Sequence, residues 1–463
     1  MLYHTIAAVS TAHGTGGIAV IRVSGDDAVG ISAKCFFPAK GTLTEKPSRQ
    51  AVYGFIKDAA GEIIDTGVAT VFRAPASFTG EDTVEISCHG GIAVTNAVLS
   101  AVFAAGAEPA EAGEFTKRAF LNGKITLSEA ESVGALISAD TDNKMRLASA
   151  GARGVLSERI KGMYDRLSDV MIALYAAIDY PDEDVGDEGE KSILSVIGDV
   201  KDDALRLLST YESGRAVAHG ISAVICGKPN SGKSSVYNAL SGDDRAIVTS
   251  VAGTTRDIIE DTVVLGGATL RLADTAGLRD DAADEVESIG IDRAMAKIAQ
   301  AELIIAVYDS SSPLSPKERE FAASLRSLAP NSKTVAVLNK TDLAENLSSD
   351  DISLLSSSHD RIVRTSAKNR DVAEFEAAVG DMYGTGDLVP SETAVIWEAR
   401  HKAALSRVTE LLSAAEESLS SGAPIDACCT LAESALTEIA ALDGRSVTDD
   451  IIDGIFSKFC VGK

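Results

Sequence analysis

Residues 221–234, ISAVICGKPNSGKS, constrain the fold more than any other stretch. An apolar run of strand length enters a loop of the form GxxxxGK[ST], and the helical SVYNAL follows at once. Such a loop turns its backbone N–H groups toward one centre when a strand and a helix N-terminus flank it, so the segment demands a βα unit. Further strand-length runs follow in TLRLAD, LIIAVYD, TVAVLN and RIVRTS. Helix-length segments separate several of them, which predicts a mostly parallel α/β sheet over residues 220–384.

The flanks read differently. Residues 1–120 mix the alternating GIAVIRVSG, VATVFRA and DTVEISC with a helical AVTNAVLSAVFAAG, the texture of an α+β domain. Residues 121–219 and 385–463 carry helical periodicity, as in LSERIKGMYDRLSDVMIALYAAI and WEARHKAALSRVTELLSAAEESL. The economical organisation is one discontinuous helical domain with the α/β domain inserted into it. Ser128 and Glu131 have the spacing of a helix capping box.

Composition narrows the function classes. The net charge of -25 opposes a sequence-independent grip on phosphate backbones, which relies on lysine and arginine. An RNA held jointly with a basic partner stays possible. The acidic residues 182–190 read as a solvated loop. The six cysteines form no CxxC pair, so reduced thiols are expected rather than zinc, and Cys88–His89 reads as the approach to a turn. Cys460 lies near Lys458 and Lys463, but the reading favours a small buried residue over a nucleophile. The longest apolar run, VMIALYAAI, is far short of a membrane span and the first residues lack a basic n-region, so a cytoplasmic protein without membrane contact is expected.

Nucleotide chemistry follows from motif order. Asn230, Ser231, Gly232, Lys233, Ser234 and Ser235 belong to the phosphate loop; Lys233 neutralises β and γ oxygens as a catalytic residue, and Ser234 takes magnesium. Thr255, in a loop before a strand, is suited to ligate magnesium when a γ-phosphate is present. Asp274, Thr275, Ala276 and Gly277 form a second switch, in which Asp274 holds magnesium through water and the Gly277 N–H faces the γ-phosphate. Base choice lies in Asn339, Lys340 and Asp342: a carboxylate accepts the paired donors of guanine and finds no such pair on adenine. Ser366, Ala367 and Lys368 follow another strand, with the Ala367 N–H within reach of the guanine oxygen. GTP is thus favoured over ATP. One piece is missing, because Leu278 stands where many such switches carry the glutamine that orients water.

The G motifs, together with GEFTKRAFLNGKITLSEAESV from residue 113 and the terminal IFSKFCVGK, make the chain resemble the tRNA-modification GTPase family MnmE (TrmE) over essentially its whole length. The resemblance implies a folate-binding-like α+β domain, a discontinuous helical domain and an inserted Ras-like P-loop GTPase domain. It also implies potassium in the phosphate site, held by Asn230 of the phosphate loop and by Thr249, Val251 and Thr254 of a second loop that includes Ser250, Ala252 and Gly253. The water-orienting acid maps to Glu287, with Asp284 and Glu285 as alternatives because the spacing after Gly277 is one residue longer than in the family. Arg22, Glu85, Lys124 and Lys463 map to contacts with 5,10-methylene- or 5-formyl-tetrahydrofolate. Residues 13–17, HGTGG, replace the family's Pro-Gly-x-Gly-Gly, and the turn is expected to persist because its glycines remain. By the same resemblance the protein is a homodimer that joins a flavoprotein, MnmG (GidA), in a heterotetramer. FAD sits on the partner only, and tRNA is the substrate. Together they place a (carboxymethyl)aminomethyl-type group on carbon 5 of the wobble uridine. The alternative is a regulatory GTP switch, for example in ribosome assembly, which leaves GEFTKRAFLNGK and FCVGK without a purpose.

Overall fold

The computed structural model describes residues 4–179, 186–242, 246–247, 261–272, 298–386 and 393–463. Two compact units emerge, one of residues 1–134, 152–165 and 433–463, the other of residues 135–151 and 166–432.

Within the first unit, the alternating segments form β1 (Ile6–Val9), β2 (Ile18–Ser24), β3 (Phe36–Pro38), β4 (Ala51–Lys57), β5 (Ile63–Phe72), β6 (Thr83–His89) and β7 (Glu108–Pro109). They make one sheet in the order β3-β4-β5-β6-β2-β1-β7. Period-two alternation sends Ile21, Val23, Val84 and Ile86 to one face, where they bury with Val29, Ile31, Val98 and Val102 of the helices Ala28–Cys35 and Ile92–Ala104. Arg22 and Glu85, paired in register, belong to the other face. The HGTGG turn is tied to the next glycine turn by the Gly16 amide, which donates to the Gly90 carbonyl at 3.0 Å.

Two helices of this unit, Leu127–Ile137 and Asp449–Phe456, bury Leu127, Ala130, Ile452 and Phe456 together. The last residues of the chain dock beside the segments that follow β1 and β7. Val461 bridges Ala112, the Ser10 hydroxyl donates to the Gly462 carbonyl at 2.9 Å, and the Phe115 amide donates to the Lys463 carbonyl at 3.2 Å. Gly462 has φ 97, and a methyl there would overlap the Val9 carbonyl, so glycine is needed for this approach. Cys460 is exposed, contrary to the burial expected of it, because the backbone around it is what docks.

The capping box lies two residues earlier than its spacing suggested. Thr126 and Glu129 exchange the reciprocal bonds, at 3.2 and 3.0 Å, while Ser128 is inside the helix and donates to the Leu442 carbonyl at 2.9 Å.

In the second unit the βα texture becomes a sheet of β8 (Ile221–Cys226), β9 (Ala246–Ile247), β10 (Asp261–Leu265), β11 (Ala268–Leu272), β12 (Leu303–Asp309), β13 (Lys333–Asn339) and β14 (Arg361–Arg364). The order is β14-β13-β12-β8-β11-β10-β9, parallel from β14 to β11 and antiparallel at β10 and β9. Its strands are apolar on both faces. Ile305 and Val307 bury with Val236 and Tyr237 of the helix Lys233–Leu240, whereas Ile304, Ala306 and Tyr308 bury with Ala322 and Leu325 of the helix Pro316–Leu328. This strand order carries the ends of β8, β12 and β13 side by side, which is where the glycine loop and the NKTD motif emerge.

Two long helices of the same unit, Gly186–Ser209 and Ala399–Ser420, pack along each other, with Lys201 paired to Glu416. The acidic segment read as a loop is therefore helical from Gly186 onward. Acidic residues favour a helix N-terminus, where the macrodipole is positive, so the charge run that suggested solvent suits a first turn equally well.

Candidate functional site

The loop between β8 and the helix Lys233–Leu240 is held open by backbone conformation. Asn230 adopts φ 63 and Gly232 φ 97, and a methyl on Gly232 would overlap the Asn339 side-chain nitrogen. Lys233 Nζ reaches back to the Lys228 carbonyl at 2.9 Å and so stands over the loop. The Ser231 hydroxyl is wholly buried and finds no hydrogen-bond partner among the described residues. An orphaned buried hydroxyl in a loop that also holds the Lys233 ammonium against its Lys228 carbonyl fits a phosphate group.

Asn339 joins this loop to the base-recognition motifs. It ends β13, is 2% exposed, donates to the Ser231 carbonyl at 3.1 Å and accepts from the Ala367 amide at 3.1 Å. The Ala367 N–H assigned to the guanine oxygen by sequence is thus given to Asn339 in this structure. Asp342 Oδ1 accepts from the Ser366 hydroxyl at 3.1 Å, and Lys368 lies 3.7 Å from Oδ2. Lys340 Nζ donates to the Asn230 carbonyl at 2.9 Å and to Asp309 at 2.6 Å.

Asp309 escaped the sequence reading. Its only trace there is an acidic residue closing the apolar run LIIAVYD, and its partner lies 31 positions away. Burial pushes its carboxyl up, but hydrogen bonds from Lys340 and Ser311 outweigh that and bring it below the ordinary carboxylate value.

Several expected site residues, Thr249, Ser250, Val251, Ala252, Gly253, Thr254, Thr255, Asp274, Thr275, Ala276, Gly277, Asp284, Glu285 and Glu287, lie outside the described residues. Ser234 and Ser235 occupy the first turn of the helix Lys233–Leu240.

The first unit holds a second constellation. Cross-strand pairing puts Arg22 beside Glu85, with Nε and Nη2 donating to one carboxylate oxygen at 3.1 and 2.9 Å. The guanidinium lies 5.1 Å from the Phe78 ring centre and 5.6 Å from that of Phe115. Lys463 feels both charged groups: burial and Arg22 hold its amine below the ordinary value of 10.5, and Glu85 partly restores it. Arg22 Nη1 is buried with no hydrogen-bond partner among the described residues. A spare buried donor beside a partly desolvated ammonium fits an anionic ligand, and Glu85 adds an acceptor for N–H groups. Lys124 donates to the Pro75 carbonyl at 2.9 Å, on the loop that also supplies Phe78.

Comparison with known proteins places the chain in a family. Residues 5–124 match the family described as GTP-binding protein TrmE N-terminus, and residues 127–460 match the MnmE helical domain. A tRNA modification GTPase MnmE of Carboxydothermus hydrogenoformans is 39% identical over 471 residues, covering 100% of each chain. The chain belongs to the MnmE family. MnmE proteins of Moorella thermoacetica and Natranaerobius thermophilus, named in the same words, are 40% and 38% identical over 100% of each chain. The MnmE helical match begins before β8 and ends after β14, so it brackets the parallel sheet in sequence.

Proposed function

We propose that this chain hydrolyses GTP with the help of potassium and acts, with a flavoprotein partner of the MnmG (GidA) kind, in modifying carbon 5 of the wobble uridine of certain tRNAs. The observation that carries the reading is Asn339, whose one side chain ties the phosphate loop to the guanine-recognition turn. The names of the relatives, all tRNA modification GTPases, support the same assignment.

Residue roles follow from position. Lys233 holds β and γ oxygens, Ser234 with Thr255 would hold magnesium, and Asp342 reads the two donors of guanine. Asn230, at the exposed edge of the phosphate loop, is suited to a monovalent cation together with Thr249, Val251 and Thr254. Potassium bound there would offset the negative charge that grows between the β and γ phosphates, a role otherwise left to an arginine finger. Glu287 would orient the water, with Asp284 and Glu285 as alternatives. In a homodimer, paired G domains would close the cation loop.

Arg22, Glu85 and Lys463, with Lys124 at the neighbouring loop, would hold a one-carbon tetrahydrofolate, the cations on its carboxylates and Glu85 on the pterin N–H groups. FAD would reside on the partner, and the heterotetramer would work in the cytoplasm. The acidic chain leaves most of the RNA contact to that partner. Mass analysis of wobble nucleosides from cells lacking this protein tests the assignment: the modified uridine is expected to disappear, and an unchanged profile would remove the tRNA role.

A further inference from the structure

Lys340 does more than complete the base-recognition motif. Its ammonium spans two partners: the Asn230 carbonyl at 2.9 Å and Asp309 Oδ2 at 2.6 Å. Asp309 is itself fixed. Its other carboxylate oxygen accepts from the Ser311 amide at 3.0 Å and hydroxyl at 2.6 Å, its side chain is 12% exposed, and its backbone pairs in register with Asn339. The bridge also joins two unusual backbones, because Lys340 has φ 67 and Asn230 has φ 63. Asparagine tolerates that left-handed conformation, whereas a lysine keeps it only where its surroundings hold it.

We propose that Asp309 is a positioning residue that locks Lys340 onto the Asn230 carbonyl and thereby couples guanine-nucleotide binding to the potassium requirement of hydrolysis. The inference rests on the GTPase reading of this site given above. Its logic is geometric. The Asn230 carbonyl and Cβ share one Cα, so a restraint on the carbonyl holds the backbone from which the side chain projects and leaves only its χ rotations free. Lys340 supplies the restraint, and Asp309 keeps the ammonium from turning toward solvent or toward Asp342. The charge-assisted pair is short and mostly shielded from water, which is the setting in which such a bond holds geometry. Guanine seated against the Lys340 stem would stiffen the same lysine, so base binding and cation binding would each favour the other.

Asp309→Asn keeps the shape and removes the charge. GDP affinity, measured by titration with a fluorescent analogue, is expected to fall about tenfold, the loss typical of one charge-assisted hydrogen bond. The potassium concentration giving half-maximal GTP turnover is expected to rise severalfold, with turnover at saturating potassium close to that of the unchanged protein. Unfolding of the nucleotide-free protein is expected to shift by less than about 3 °C. Asp309→Glu should recover part of both effects, and Lys340→Met, which breaks the bridge from its other end, should show them without adding to those of Asp309→Asn. Weakened GDP binding with an unaltered potassium requirement would overturn the coupling, and no change in either would overturn the positioning role. Should the unchanged protein turn over GTP equally in sodium and potassium, the cation reading itself would fall and the coupling with it. The GDP titration would still decide whether Asp309 positions Lys340.

Discussion

Replacing Asn339 by alanine probes the joint on which the nucleotide site depends. The side chain is 2% exposed and makes two hydrogen bonds of 3.1 Å each, to the Ser231 carbonyl and the Ala367 amide. Their partners are equally enclosed, Ser231 at 0% and Ala367 at 7% exposure. Truncation strands one acceptor and one donor away from water, and each orphaned group costs about 1–3 kcal/mol, so the sum is about 2–6 kcal/mol. Where that loss falls depends on whether the loops stay in place. If they do, the nucleotide-free protein unfolds more easily; if they relax, GDP must rebuild them, and 2 kcal/mol corresponds to roughly a thirtyfold weaker complex. Urea unfolding without nucleotide and calorimetric GDP titration together capture both destinations. Asn339→Asp sharpens the test, since it keeps an acceptor for the Ala367 amide but turns a carboxylate oxygen toward the Ser231 carbonyl. An alanine variant with an unchanged unfolding midpoint and a GDP affinity within twofold would refute the reasoning.

Gly232→Ala should weaken GDP binding more than tenfold, because φ 97 strains an alanine by about 1–2 kcal/mol and the new methyl displaces Asn339; a GDP titration reads it directly. Burial of His359 lowers its pKa from 6.5 to about 4, so protonation favours the unfolded chain. The resulting loss of stability begins as pH falls below 6.5, is complete below about pH 4, and approaches roughly 3 kcal/mol. His359→Gln should remove that part of the acid sensitivity in unfolding measured across the same interval. Lys463, held below its ordinary pKa by burial and by Arg22, should lose its proton earlier than an exposed lysine as pH rises. Affinity for 5-formyl-tetrahydrofolate is then expected to decline on the alkaline side, and Lys463→Met should bind weakly and show no such decline.

The sequence displayed the nucleotide site because its parts are local. A strand, six loop residues and a helix are contiguous, and NKTD directly ends an apolar run, so spacing along the chain is enough to recognise them. Features made by residues distant in sequence were less legible. Arg22 and Glu85 meet through antiparallel register, which depends on the turns and faces of the intervening strands; only family resemblance brought them together beforehand. Lys463 joins them because glycine at 462 lets the backbone approach Val9, a contact with no sequence periodicity. Asp309 resembled any strand-end aspartate. The helix start near Thr126 was misplaced by two residues because Ser128–Glu131 and Thr126–Glu129 have the same spacing, and burial of Ser128 against Leu442 decided between them. At residues 186–190 charge was taken for a loop signal although it also suits a helix N-terminus.

The most direct test compares GTP turnover by the purified protein in potassium and in sodium at equal ionic strength. With Leu278 in the glutamine position, the account predicts rapid turnover in potassium and a rate lower by orders of magnitude in sodium, with Asn230→Ala abolishing the difference. Equal rates in the two salts would contradict it.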